Sequence, residues 1–140
     1  MTELAKTRPE FRNIHAFKDL PTYRLPAAGW VSILHRVSGV LMFVLLPLIL
    51  WIFDTSVSSE ISSNRLRSAF QGGTGIVLKL VCLALIWAFL HHFIAGVRHV
   101  WMDVSHKAVS KTWGNTSARA TLVLSLLLTV VLGLKLFGVY

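Results

Sequence analysis

Hydrophobic and polar positions divide the chain into three long charge-poor runs, Val37–Phe53, Leu80–Val97 and Ala120–Leu134. A membrane-spanning helix needs about 20 mostly apolar residues. Each run reaches that length when polar neighbours such as Ser32 and Lys79 lie at the interface, where long side chains extend toward water. The pattern therefore predicts three transmembrane helices.

The first run also distinguishes a membrane helix from an inner helix of a soluble bundle. A soluble helix normally keeps one polar face, and the stretch LMFVLLPLILWIF has none. Pro47 is compatible with a membrane helix but should bend it, because its ring removes a backbone donor. We predict an all-α membrane protein with a cytoplasmic N-terminal arm, residues 1–28, and an anchor, residues 29–140, whose spans are about 30–53, 76–101 and 119–139.

Composition and charge agree with this fold class and give it an orientation. The 140 residues are 54% hydrophobic and 14% charged, with a mean hydropathy of +0.64, whereas soluble domains carry about 25% charged residues. The formal charge is +8, but the basic residues lie scattered near helix ends, so no nucleic-acid partner is expected. Most of them are in the N-terminal arm and second loop, which predicts that both are cytoplasmic and that the first loop and C-terminus are periplasmic.

The N-terminus shows no sign of a secretory or transit peptide. It carries Glu3 and Glu10 and lacks an early apolar stretch, which favours a bacterial inner membrane. The one cysteine, Cys82, falls within the second span and has no partner for an internal disulfide, so its expected role is packing.

A first cluster of polar groups, Ser32, His35 and Arg36, lies at the start of the first span. Residues four apart share a helix face, so the Ser32 hydroxyl and the Arg36 guanidinium can contact one oxygen-rich ligand together. The alternative is that His35 and Arg36 are interfacial anchors, with the arginine extending to lipid phosphate. This cluster alone does not separate the two.

A second cluster surrounds His92 in the second span. His92 lies six residues, or ~9 Å of helix rise, inward from Arg98, too deep for easy contact with water. Ala88, Ala95 and Gly96 are small neighbours at helical spacing, and a flat macrocycle needs such a cleared surface beside an axial ligand. Neutral imidazole is a common haem ligand.

Three questions about this histidine stay open at this point. A membrane histidine can instead make a hydrogen bond to another helix. His91, turned by about 100°, has Trp87 one turn away and a more crowded face, which makes His92 the better candidate. One ligand does not complete a six-coordinate haem, and His35 is expected to lie too near the cytoplasmic end to be the second. The second ligand should therefore come from another chain.

At these residues the chain resembles the cytochrome b large anchor subunit of bacterial succinate dehydrogenase, respiratory complex II. The matching segments are RP at Arg8–Pro9, YRLP at Tyr23–Pro26, SILHRVSG at Ser32–Gly39 and HFIAGVRHVWMD at His92–Asp103. The resemblance covers nearly the whole chain, and the last two segments together are quite specific. The chain departs from the family pattern at His91, where tyrosine is frequent, and in the N-terminal arm.

The resemblance implies a complex in which this subunit and a second small anchor hold a b-type haem, together with a flavoprotein and an iron–sulfur protein on the cytoplasmic face. Electrons from succinate would pass to ubiquinone near that face. Ser32 and Arg36 match quinone-site residues, Leu25 and Ile33 match its apolar wall, and His92 matches an axial haem ligand. His35 and Arg36 match residues that face the haem propionates, and the second axial histidine belongs to the sister subunit.

Succinate oxidation itself is not expected on this chain, because no strand–glycine-loop–helix pattern for a flavin is present. Three other functions are considered: an anchor of a fumarate reductase that works in the opposite direction, a structural anchor without haem, and a small transporter. A transporter needs ionisable groups along a path through the membrane, and both clusters lie toward one leaflet.

Overall fold

The computed structural model describes residues 15–19 and 22–139, and all the regular structure within those ranges is helical. Residues 1–14 and 20–21, which include the Arg8–Pro9 motif and much of the predicted arm, lie outside the described residues. The elements are α1 Ala16–Asp19, α2 Ala27–Val44, α3 Leu46–Val57, α4 Glu60–Ala69, α5 Gly73–Val104, a 3₁₀ helix His106–Val109, and α6 Lys111–Leu136.

Three of these helices, α2, α5 and α6, are long and apolar enough to cross a membrane. The predicted class, an all-α protein with three membrane helices, is confirmed. The first apolar run is not one continuous helix, because α2 ends at Val44 and α3 begins at Leu46. Pro47 occupies the first turn of α3, where its missing N–H leaves the Phe43 carbonyl without its usual helical donor.

The three long helices pack through small side chains. Val31 of α2, Ala95 of α5 and Ala118 of α6 are fully buried and in contact. On α6 the buried positions recur every three or four residues and carry alanine, serine, threonine or glycine (Ala118, Thr121, Ser125, Thr129 and Gly133). A Cβ added to Gly133 would approach the Leu83 side chain to 2.9 Å. Small residues let membrane helices approach closely. In lipid the hydrophobic effect does not drive helices together, so their association depends on van der Waals packing.

The large apolar side chains point outward instead. Val40 is 63% exposed and Phe43 is 77% exposed, and the outer faces of all three long helices are similarly apolar. Such a surface is stable against lipid or a partner helix, and it agrees with the membrane assignment.

The first loop contains α4, which packs against α3 and the start of α5. Helix α4 begins at a capping box in which Ser59 and Ser62 bond each other's backbone N–H. The chain then enters α5 through Gly75, where a Cβ would meet the Phe70 carbonyl oxygen at 2.5 Å. Only glycine permits this close approach between α4 and α5.

Candidate functional site

His92 is held at its Nδ1 atom by the backbone of α2. Nδ1 lies 3.0 Å from the His35 carbonyl oxygen and 3.3 Å from the Ser38 hydroxyl. A carbonyl only accepts hydrogen bonds, so Nδ1 is the protonated nitrogen and donates to it. Nε2 is then the basic nitrogen. No donor within the described part of the chain uses its lone pair, and the His92 side chain lines an apolar groove.

The close approach of His92 to α2 requires Gly39. A Cβ at that position would lie 3.0 Å from His92 Cε1 and 3.3 Å from Nδ1. The SILHRVSG segment therefore supplies the carbonyl, the hydroxyl and the open space that fix this ring. Ser38 in turn donates to the His35 carbonyl oxygen at 2.9 Å, so the serine and the histidine share one acceptor.

A groove of about 530 Å³ opens beside His92, and nearly all of its lining is apolar (His92, Phe93, Gly96, Val97, Val100 and Trp101). Gly96 lies in this groove, as the cleared-face argument predicted. Ala88 and Ala95 do not, and that part of the prediction is wrong: both are fully buried in the contacts between helices. Their small size serves close packing, because an alanine on the inner face lets α5 approach its neighbours.

His35 packs face to face against His92. The ring centroids are 4.1 Å apart with an angle of 15° between planes, and His99 lies on the other side at 4.9 Å. The position of His35 near the start of α2 was expected to keep it away from His92, but the packing of α2 on α5 brings the two rings together. Stacked rings leave no space for an iron atom between them, so His35 still cannot be the second axial ligand. Its Nε2 is buried against α5 without a hydrogen bond of ordinary geometry.

Ser32 and Arg36 form the pair expected from their spacing. Arg36 Nη2 donates to the Ser32 hydroxyl oxygen at 3.2 Å, and Arg36 is exposed on α2. Ile33 is half-buried beside them. Leu25, just before α2, folds back so that its side chain lies 3.4 Å from the Cβ position of Gly29. The four predicted quinone-site residues therefore share one end and one side of α2.

His91 faces a different part of the bundle. It is 1% exposed, its Nδ1 lies 3.2 Å from the Ser125 hydroxyl on α6, and its ring stacks on Trp87 at 5.6 Å. The two adjacent histidines are thereby distinguished, because His91 is enclosed whereas His92 lines a groove. The hydrogen bond between helices that was weighed for His92 is made by His91 as well.

Ser38, Gly39 and His99 lie within the segments recognised from the sequence, but no role was assigned to them there. Ser38 and Gly39 belong to the motif around Arg36, and His99 follows His92 by seven residues, which is two helical turns. That heptad spacing was the available signal for His99. Among the described residues, no group of three His, Cys, Asp or Glu side chains is arranged to hold a metal ion on its own.

A family model described as succinate dehydrogenase/fumarate reductase transmembrane subunit matches residues 8–132. The chain belongs to this family. Its similarity to three proteins called succinate dehydrogenase cytochrome b556 subunit extends over most of its length. It is 28% identical to the Rickettsia felis protein over 130 residues, 92% of this chain and 98% of that one. It is 30% identical to the Coxiella burnetii protein over 115 residues, 82% of this chain and 90% of that one.

The third relative, from Paracoccus denitrificans, is 29% identical over 91 residues, 62% of this chain and 65% of that protein. The resemblance inferred from the two histidine-bearing motifs is confirmed by these matches. The chain is a transmembrane subunit of a succinate dehydrogenase type of enzyme complex, which confirms the predicted function at that level.

Proposed function

We infer that the chain is the cytochrome b anchor of a succinate:ubiquinone oxidoreductase in a bacterial inner membrane. Its partners would be a flavoprotein, an iron–sulfur protein and a second small anchor subunit. The observation that carries the proposal is the state of His92, whose Nδ1 donates to the His35 carbonyl while its side chain lines an apolar groove. Metal-binding histidines commonly donate their second ring N–H to a backbone carbonyl in this way.

The residues around His92 fit a b-type haem. Phe93, Val97 and Val100 supply an apolar wall, and Gly96 adds no side chain, so a flat ring can lie against α5. His92 would be one axial ligand through Nε2. The haem would supply a one-electron redox centre, whose potential depends on the axial ligands and on burial. Because no second histidine of this chain opens to the groove, the other ligand would come from the sister anchor.

Arg36 and His35 are the groups proposed for the haem propionates. Arg36 has donors beyond the one bonded to Ser32, and its charge complements a carboxylate. His35 has a buried Nε2 without a hydrogen bond, so its contact with a propionate would have to come from Nδ1. Arg36 therefore has the stronger support.

Ser32 and Arg36 are also the groups proposed for ubiquinone. Because the serine oxygen accepts from Arg36, its own O–H remains free to donate to a quinone carbonyl oxygen. The arginine would stabilise negative charge on that oxygen as the quinone is reduced, and such an effect is largest in a site that excludes water. Leu25 and Ile33 would form its apolar wall. Arg36 is exposed on this chain alone, so partner subunits would close the site.

In this arrangement the chain does not oxidise succinate. The flavoprotein would remove a hydride equivalent, the iron–sulfur protein would carry single electrons, and this chain would hold the acceptor near the cytoplasmic face. The family description covers both succinate dehydrogenases and fumarate reductases. The three relatives described above are called succinate dehydrogenase subunits, which favours the oxidative direction.

The test is the absorption spectrum of the tagged, assembled complex with His92→Ala. We expect the reduced-minus-oxidised signal of a b-type haem to be lost or strongly altered. His91→Ala and His106→Ala are matched controls, since the first removes the sealed neighbour and the second an exposed loop histidine. An unchanged spectrum in His92→Ala, with loss in His91→Ala, would refute the assignment of His92.

A further inference from the structure

A second groove lies between α5 and α6, next to the groove that contains His92, with which it shares Val97 and Trp101. It contains a buried arginine that the proposed haem and quinone sites do not use. Arg98 is only 7% exposed. The groove has a volume of about 320 Å³. Its other lining residues are mainly apolar, with Ser117 and Thr121 as the polar exceptions (Ile94, Val97, Trp101, Ser117, Ala120, Thr121 and Leu124).

The Arg98 guanidinium is only partly used by the protein. Nε donates to the Ser117 hydroxyl at 3.0 Å, and Nη2 donates to the Gly114 carbonyl at 3.0 Å. Nη1 makes no hydrogen bond within the described residues and is not among the enclosed atoms. A guanidinium has five N–H donors. The two hydrogen bonds therefore hold the Arg98 guanidinium in place and leave other donors unused.

No carboxylate among the described residues pairs with the positive charge of Arg98. Asp103 is the single acidic residue in the sequence after Glu60, and the described contacts of Arg98 are both to neutral oxygens. A charge inside a membrane protein is costly unless it is paired, so an anion from outside the chain would relieve that cost. Lys107 and Lys111 add positive charge at the same end of the helix pair.

The position of Arg98 corresponds to the headgroup region of a bilayer. Arg98 lies six residues, or ~9 Å of rise, before the end of α5 at Val104, and its bonds to the first turns of α6 draw the guanidinium toward the interface. Trp101 lies one turn nearer the end and meets Trp113 edge to face at 6.5 Å. Tryptophan pairs of this kind are typical of the interfacial belt.

We propose that the groove between α5 and α6 binds an anionic phospholipid, with its phosphate on Arg98 and one acyl chain along Ile94, Val97 and Leu124. Arg98 would contact the phosphate through Nη1, and the Thr121 hydroxyl is a second polar group within the groove. The lipid would hold the ends of α5 and α6 together next to the loop that faces the partner proteins. The polar groups of this site, Arg98 and Thr121, do not line the groove that contains His92, although the two grooves share Val97 and Trp101.

The test uses the tagged, assembled complex in mild detergent and measures retained phospholipid by native mass spectrometry. Wild type should retain one more tightly bound phospholipid per copy than Arg98→Gln. Arg119→Gln is the matched control, because it removes an exposed charge from the same end of α6 and should retain the lipid. Equal retention in wild type and Arg98→Gln would overturn the proposal.

A second variant tests the proposal independently if Arg98→Gln fails to assemble. Ala120→Phe keeps Arg98 and fills the groove from an exposed position, so it should lose the lipid while the haem spectrum is preserved. Added phosphatidylglycerol should raise the apparent Tm of wild type but not of Ala120→Phe, whereas phosphatidylcholine and inorganic phosphate should have little effect. If Ala120→Phe instead releases a partner subunit and wild type retains no extra lipid, the groove is a protein interface and the proposal is wrong.

Discussion

His91 and His92 are consecutive residues of α5, but their environments are opposite. His91 is sealed between α5 and α6, bonded to Ser125 and stacked on Trp87. His92 is fixed at Nδ1 by α2, makes no hydrogen bond at Nε2 within the described residues, and lines an apolar groove. The difference shows that a membrane histidine is suited to bind a ligand when one nitrogen is held and the other stays accessible.

The same contrast applies to the two arginines near the ends of the spans. Arg98 is buried and bonded to the chain at two nitrogens. Arg36 is exposed and bonded to one side chain, Ser32. A guanidinium that makes few bonds within its own chain keeps more donors for a ligand or a partner subunit, which is why Arg36 is the proposed quinone residue.

The largest effect is expected from removing the charge of Arg36, which is exposed on α2. Arg36→Ala should slow quinone reduction by about 100-fold, because loss of one preorganised donor to a developing negative oxygen typically has that effect. Succinate oxidation with an artificial soluble acceptor should stay close to wild type. Both activities are measured on the purified complex.

Arg24→Ala is the control for that experiment, since Arg24 is exposed near the same end of α2. It should leave both activities nearly unchanged. If Arg36→Ala lowers the two activities equally, the arginine is needed for assembly and its quinone role is contradicted.

A smaller effect is expected from crowding His92 without changing it. Gly39→Val would place atoms where even a Cβ is 3.0 Å from His92 Cε1, so the ring should be displaced and the haem content should fall several-fold. Gly73→Val is the control, because a Cβ there has nothing within 4 Å. Haem per complex is quantified from the reduced-minus-oxidised spectrum. Normal haem content in Gly39→Val would show that the His92 position does not depend on this contact.

The smallest effect is expected from removing the hydrogen bond between Ser125 and the buried His91. Ser125→Ala removes the partner of His91 Nδ1, and a hydrogen bond between membrane helices contributes about 0.6 kcal/mol on average. The apparent Tm of the complex should fall slightly while the haem spectrum stays unchanged. Thr129→Val is the control, because the Thr129 hydroxyl bonds only its own helix at the Ser125 carbonyl. A changed spectrum in Ser125→Ala would mean that His91 acts on the haem.

Individual residues show which inferences from sequence succeed. Helical spacing of four correctly brought Ser32 and Arg36 together, because that distance is set within one helix. Spacing failed for Ala88 and Ala95, which share a side of α5 with His92 in a helical projection but are covered by neighbouring helices. A helical projection shows on which face of its own helix a residue lies. It does not show which neighbouring helix covers that face.

The sequence by itself determined the class of the protein and its spans in outline, because burial of the backbone in lipid requires long apolar helices and the charge-poor runs have that length. It also supplied the two motifs that identify the family. The tertiary structure decided the depth of His35 relative to His92, the separation of His91 from His92, and the place of Arg98. Those features depend on how α2 and α6 are positioned against α5, and that positioning is fixed by packing between residues far apart in the chain.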